Sequence, residues 1–332
     1  MRVALAGLGA AAQRGHLPAI ERHAAAGTMD LVAAADPDAV ARDRTTRRLP
    51  RTPLFASADA MLAAVECELV VIAASSPSHV DLVAVALQRG AHVLCEKPLA
   101  LTLAGYESVA RAYARHPGAG LVSVHQYRYS PGWIAILRTA RLAARMHLPF
   151  KVSADVERVG VDALAASPWR ADVARSGGIF ADHGVHFLAL AWGIDCDLDV
   201  LAMARSRREV GERASAFVRL GSGALALQLR TGAPDRHTSV LFEAGNVALT
   251  WSGATLALRV GPRLVFTRRV PDLADRAHVD ALYHRLYDDI VQNLARASWR
   301  AQRSAETLVV GRALLELLDC DVAPDAALVR GR

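Results

Sequence analysis

The chain has 332 residues, more than the roughly 250 at which single hydrophobic cores stop growing, so two domains are expected. Its 52% hydrophobic and 22% charged residues exclude a disordered chain, and no run approaches the roughly 18 consecutive apolar residues that a membrane helix needs. The net charge of +6 implies no nucleic-acid partner, because the basic residues form no stripe interleaved with aromatics. The densest basic run, Arg42 to Arg51, also contains Asp43 and reads as a solvated helix face and its exit loop.

Met1 to Gly7 enters a strand at once, without the basic, apolar and small-residue pattern of a secretory signal, and the expectation is a cytoplasmic protein. Cys67, Cys95, Cys196 and Cys320 are scattered, with neither metal-ligand spacing nor disulfide density, and read as reduced thiols.

Arg2 to Ala6, Leu31 to Ala35, Leu69 to Ala73, Ala91 to Leu94 and Gly120 to Val124 are short apolar runs that read as strands. Leu17 to Ala26, Ala58 to Val65, His79 to Gln88 and Leu103 to Ala114 carry helical spacing between them. This alternation predicts a parallel sheet with crossover helices over residues 1–123. From 124 onward Pro131 to Ala144 and Phe180 to Ala191 read as helices and Lys151 to Glu157 as a strand. Seven alternating segments follow between Val200 and Thr267, with turns at Gly221-Ser222-Gly223 and Gly245-Asn246, and two helices close the chain, from about Val279 to Ala297 and from Ser304 to Leu318. Residues 124–332 are therefore expected to form a second α/β domain on a large open, mostly antiparallel sheet.

The first strand runs into Gly7-Leu8-Gly9-Ala10-Ala11-Ala12. Gly7 permits a tight turn, Gly9 lets a pyrophosphate approach the backbone, and Ala12 lets helix pack closely on strand. The N–H groups from Ala10 and Ala11 onward then face the phosphates. Asp36 ends the second strand, where a carboxylate accepts hydrogen bonds from the adenosine ribose and repels a 2′-phosphate, so NAD is favoured over NADP. Arg42 and Arg44, a little further on, are the residues a 2′-phosphate would use. A turn-forming role before Pro37 is the alternative for Asp36. The small-residue loop of Ser75, Pro77 and His79 follows another strand, where its backbone suits a nicotinamide ribose and His79 caps the next helix; a structural role is the alternative for that imidazole.

Glu96-Lys97-Pro98 delivers an ammonium and a carboxylate to the carboxyl end of a strand, where open α/β sheets bind their ligands. A cationic nicotinamide beside Lys97 lowers the ammonium pKa and suits it to orienting or protonating a substrate oxygen. The bland alternative is a surface salt bridge. Further on, Ser176-Gly177-Gly178 leads into a helix bearing Asp182, His183 and His186. Asp182 and His186 are spaced i, i+4, so a carboxylate and an imidazole share one face as a candidate general base.

The glycine fingerprint, Glu96-Lys97-Pro98, the tract Gln126-Tyr127-Arg128-Tyr129-Ser130-Pro131, and Trp169-Arg170 leading through Gly177-Gly178 to Asp182-X-Gly184-X-His186 fall in one order over nearly the full length. Together they resemble the Gfo/Idh/MocA family of oxidoreductases. The resemblance implies an N-terminal Rossmann domain, a C-terminal domain whose open sheet often serves a homodimer or homotetramer, and hydride transfer at a carbinol of a sugar, glycoside or cyclitol. It maps Lys97, Asp182 and His186 onto the family's catalytic trio, with His186 taking the hydroxyl proton, Lys97 holding the oxygen and Asp182 orienting the pair.

Glu96 and Gln126 join the cofactor-binding set, and Tyr127, Arg128, Arg170 and His183, with His125 in reserve, the substrate-binding set. Ser176 stands where the family often has glycine, Gln126 where it often has asparagine, and His183 adds an imidazole. A metal held by Asp182, His183 and His186 is disfavoured, because adjacent residues diverge by about 100° on a helix; no metal is expected. The competing functions are an enzyme that keeps and recycles its NAD during glycoside cleavage or epimerisation, and a non-catalytic NAD(H) sensor.

Overall fold

The computed structural model describes residues 1–159, 176–208 and 211–319. The expectations for Trp169, Arg170 and Cys320 lie outside the described residues. The chain forms two compact units, one of Met1–Gln126 with Asp280–Leu308, the other of Tyr127–Val279 with the chain from Val309 onward. The boundary thus falls three residues beyond the expected one, and most of the closing helical region, which the sequence pattern assigns to the second domain, belongs to the first unit.

In the first unit a six-stranded parallel sheet is built from β1 (Arg2–Ala6), β2 (Asp30–Ala35), β3 (Leu54–Phe55), β4 (Leu69–Ile72), β5 (His92–Cys95) and β6 (Leu121–Ser123), in the order β3-β2-β1-β4-β5-β6. β4 and most of β1 and β5 are buried on both faces, as a parallel sheet covered by helices requires. The crossovers are α1 (Leu17–Ala25), α2 (Ala39–Arg48), α3 (Ala58–Ala64), α4 (His79–Gln88) and α5 (Leu103–Ala114). Asp38, Ser57 and Thr102 accept backbone N–H bonds where α2, α3 and α5 begin. The strand order reverses between β1 and β4, which places the ligand crevice of a doubly wound sheet at the carboxyl ends of these strands.

The second unit holds an eight-stranded sheet of β7 (Phe150–Val159), β8 (Asp199–Arg208), β9 (Gly211–Leu220), β10 (Gly223–Ala233), β11 (His237–Ala244), β12 (Val247–Ser252), β13 (Thr255–Val260) and β14 (Arg263–Arg269). The order is β14-β13-β12-β11-β7-β10-β9-β8, antiparallel throughout except for the parallel pair β7 and β10. Alternation decides which face is covered: Val152, Ala154 and Val156 of β7 are buried, while Lys151 and Asp155 point the other way.

The covered face carries α6 (Pro131–Arg145) and the entirely buried α7 (Val185–Ile194), with the rings of Trp133 and Phe187 5.3 Å apart. The expected turns at Gly221-Ser222 and Gly245-Asn246 join β9 to β10 and β11 to β12. The last two helices among the described residues are α8 (Arg276–Asn293) and α9 (Ala297–Leu318). From α9, Ser304 Oγ and Thr307 Oγ1 accept the Leu121 and Ser123 N–H groups at 3.0 and 2.9 Å, capping the open edge of β6 within the first unit.

Candidate active site

Gly7 takes φ +97°, and a Cβ there would lie 2.4 Å from the Ala74 nitrogen, so only glycine lets β1 turn against the loop after β4. At Gly9 a Cβ would meet nothing within 4 Å, which leaves the backbone open to a ligand. Ala12 is fully buried, consistent with the close packing expected of the third fingerprint position. Residues Ala12–His16 form a wide π-type turn that continues the helical turn of Ala10 and Ala11 into α1, with the Gln13 N–H bonded to the Gly9 carbonyl at 3.0 Å.

The Asp36 carboxylate accepts the Leu8 N–H at 2.7 Å and the Asp38 N–H at 2.8 Å. It is thereby fixed against the glycine turn, with lone pairs left for ribose hydroxyls. Arg42 donates to the Asp36 and Pro37 carbonyls and Arg44 to the Leu8 carbonyl. Both guanidinium groups are committed to backbone, as befits a site for NAD rather than for a 2′-phosphate.

Ser76–Ser78 make a short 3₁₀ turn after Ser75, with Pro77 inside it, and α4 starts at His79. The expected cap at His79 is not found. Its buried imidazole instead turns inward, with Nδ1 2.7 Å from the Pro98 carbonyl and Nε2 3.1 Å from the Ala74 carbonyl. Burial lowers its pKa, so the ring is neutral and donates to one of them, binding the loop after β4 to the loop after β5. The Lys97–Pro98 peptide is cis.

Glu96 lies at the centre of a buried cluster that sequence patterning does not reveal. His16 Nε2 is 3.1 Å and Tyr283 Oη 2.5 Å from Glu96 Oε1, the Lys97 N–H is 3.3 Å from Oε2, and His16 Nδ1 is 2.8 Å from Tyr287 Oη. The members satisfy one another: His16 Nε2–H and the Tyr283 O–H both donate to the Glu96 carboxylate, and His16 Nδ1 is paired with the Tyr287 hydroxyl. Burial pushes the Glu96 pKa up, but the His16 hydrogen bond and charge, Lys97 and the Tyr283 hydroxyl outweigh it and hold the carboxyl at about 2. The carboxylate that directly precedes Lys97 is thus fixed from three sides. Gly15 makes room for this, since a Cβ there would meet the Tyr283 ring at 2.7 Å. Gln126 ends the unit buried, and its Oε1 has no hydrogen-bond partner among the described residues, an acceptor available to a donor on a bound cofactor.

In the second unit Gly177 and Gly178 both take left-handed φ, and the Glu212 carboxylate accepts the Ile179 N–H at 2.8 Å while receiving Arg205 Nε at 2.7 Å. This pair fixes the start of the wide turn Phe180–Gly184 that carries Asp182 and His183. His183 Nε2 is 3.5 Å from Asp182 Oδ2 and His183 Nδ1 is 3.3 Å from Tyr127 Oη, so these three side chains form one polar chain. The looser turn brings neighbours 182 and 183 together, which α-helical spacing does not predict. His186 is buried, its ring stacked on Tyr127 with centroids 4.0 Å apart. Among the described residues no three His, Cys, Asp or Glu side chains are grouped to hold a metal. Arg128 follows Tyr127 in a 3₁₀ turn spanning Gln126–Tyr129, and His125 is buried just before it.

Residues 1–124 match a family described as an oxidoreductase family with an NAD-binding Rossmann fold. A D-apiose dehydrogenase from Paraburkholderia graminis is 36% identical over 156 residues, which is 46% of this chain and 40% of that protein. An inositol 2-dehydrogenase from Burkholderia multivorans is 34% identical over 99 residues, 30% of this chain and 29% of that one. The matched segments therefore span well under half of these curated relatives.

Among solved structures, an oxidoreductase from Agrobacterium radiobacter in complex with NAD+, L-tartaric acid and magnesium superposes with a TM-score of 0.76 at 17% identity, covering 96% of each chain. The myo-inositol 2-dehydrogenase from Lactobacillus plantarum gives 0.75 at 16% identity, covering 97% of this chain and 99% of that one. These likenesses bear on the fold, and they extend it over both units.

Proposed function

We propose, from the match of residues 1–124 to the Gfo/Idh/MocA oxidoreductases, that the chain is an NAD(H)-dependent oxidoreductase acting on a carbinol or ketone carbon of a sugar or cyclitol. The observation that carries the reading is the cradle of the first unit: the open turn at Gly9, Asp36 fixed at the end of β2, and Lys97 at the carboxyl end of β5 beside an anchored Glu96. The relatives named for apiose and inositol support a polyhydroxylated substrate.

Gly7, Gly9, Ala10, Ala11, Asp36, Ser75, Pro77, Glu96 and Gln126 hold the dinucleotide. NAD, when bound, supplies the hydride acceptor. Lys97 donates a hydrogen bond to the carbinol oxygen, and His186 takes the hydroxyl proton, its ring held flat by Tyr127. Asp182 stabilises the developing positive charge on imidazole nitrogen, with His183 and Tyr127 completing its polar chain. For a ketone substrate the same groups return the proton. Assembly through the sheet of the second unit belongs to the same proposal: β14 exposes Leu264, Val265 and Phe266.

The test is NADH formation from NAD+ with a panel of pentoses, hexoses and cyclitols. Turnover with at least one of them, abolished in Lys97→Ala while NAD+ affinity is retained, is the expected result. Full activity in Lys97→Ala would remove the lysine from the reaction, and product formation without net NADH would favour an enzyme that recycles its cofactor. Sedimentation of the purified chain reads the assembly, and a monomer at micromolar concentration would refute it.

A further inference from the structure

The end of the second unit's sheet next to the Asp182 turn gathers several arginines. Arg158, the penultimate residue of β7, is only 5% exposed. Its Nη1 donates to the carbonyls of Glu157 and His237 at 2.7 and 2.9 Å and to Thr238 Oγ1 at 3.1 Å, which pins the guanidinium in place. Its Nε and Nη2 are buried and have no hydrogen-bond partner among the described residues. These two nitrogens form one edge of the guanidinium, the edge whose parallel N–H groups receive both oxygens of a carboxylate.

The register places Arg158 beside the polar chain. Arg158 shares the inward face of β7 with Val156, and Val156 pairs with Leu229 of β10. A Cβ on Gly184, in the turn that carries Asp182, would touch the Leu229 side chain at 3.0 Å. Arg236, immediately before β11, is half-buried, and its Nε too is buried without a partner. Burial lowers the Arg236 pKa, Arg158 and Arg276 lower it further, and Tyr127 and Asp182 oppose them, so all four groups lie within electrostatic reach of that guanidinium. Arg158 and Arg276 thus lie near enough to Arg236 to act on it, and Asp182, itself 3.5 Å from His183, is the carboxylate that opposes them. A buried guanidinium held rigidly with its bidentate edge unused is costly unless an anion completes it.

We propose that Arg158 and Arg236 form an anion subsite for the substrate, so that the polyol taken by this unit is a sugar acid bearing a carboxylate. The proposal rests on the reading of the Tyr127, Asp182, His183 and His186 cluster as the substrate site. The carboxylate accepts two N–H bonds from Arg158 Nε and Nη2, with Arg236 as the second cation. Discrimination against the neutral parent sugar follows, because that sugar leaves both buried donors unmet.

Calorimetric titration of the full chain with NAD+ present, using D-gluconate, D-galacturonate, the neutral parent hexoses, a hexose phosphate and inorganic phosphate, tests this, with NADH formation read in parallel. At least one sugar acid should bind about tenfold or more tighter than its parent, and the preference should weaken with salt. Arg236→Gln, and independently Arg158→Met, should reduce that ratio by about tenfold. Because Arg158 is buried, the half-buried Arg236 supplies the variant that folds. Equal binding of acid and parent, an acid preference that survives Arg236→Gln, or tighter binding of phosphate than of any sugar acid would overturn the proposal. Arg236-dependent acid binding without any NADH would uphold the subsite while refuting the dehydrogenase reading. NADH from neutral sugars with no acid preference would do the reverse.

Discussion

Replacing Glu96 by Gln removes one charge while the amide oxygen still accepts from both His16 and Tyr283, losing only the longer 3.3 Å bond from the Lys97 N–H to the other oxygen. The difference between the two proteins should therefore depend on pH. In the folded chain the Glu96 carboxyl is lowered from 4.5 to about 2, so the unfolded chain takes up the proton first as pH falls. The charge stabilises the fold fully above about pH 5 and progressively less below it. Linkage over that interval gives about 3.4 kcal/mol at pH 6 and about 1.4 kcal/mol at pH 3.

Urea unfolding of both proteins at pH 6 and pH 3, followed by circular dichroism, reads the difference directly. The wild-type advantage over Glu96→Gln should shrink by roughly 2 kcal/mol between the two conditions, whatever the other carboxylates do, because those are common to both proteins. A constant advantage across this range would show that Glu96 is not held ionised by its buried partners. Its role as a fixed anchor before Lys97 would then fall.

Gly15→Ala should cost about 1–3 kcal/mol, because the new methyl must displace the buried Tyr283 ring 2.7 Å away; thermal unfolding measures it, and an unchanged midpoint would mean that the ring yields freely. Asp36→Ala frees the Leu8 N–H and removes the ribose acceptor, so NAD+ affinity should fall about tenfold or more while the preference over NADP+ narrows, as fluorescence titration with both cofactors would read.

The parts legible in the sequence are those whose cause is local. The apolar run Arg2–Ala6 ending in Gly7, and the helical spacing of His79–Gln88 and Leu103–Ala114, fix those elements within their own residues. The two-residue strand Leu54–Phe55 is not legible, because it carries too few residues to show a period. The turn Phe180–Gly184 reads as ordinary helix, and the 3.5 Å approach of His183 to Asp182 within it is not legible from helical spacing. Nothing in single-sequence patterning joins His16 to Tyr287, 271 positions away, or separates a tyrosine that fills a core from one that holds a carboxylate. Gly15, two residues before the helical pattern that begins at Leu17, carries no mark in the sequence of the Tyr283 ring that packs on it.

The two hydroxyls of α9 that cap β6 also set an order of events in synthesis. Leu121 and Ser123 leave the ribosome long before Ser304 and Thr307 exist, so the nascent sheet carries an unprotected pairing edge for most of translation. A chain cut after residue 126 would keep that edge permanently, along with a Glu96 deprived of Tyr283, and should pair with itself rather than remain in solution.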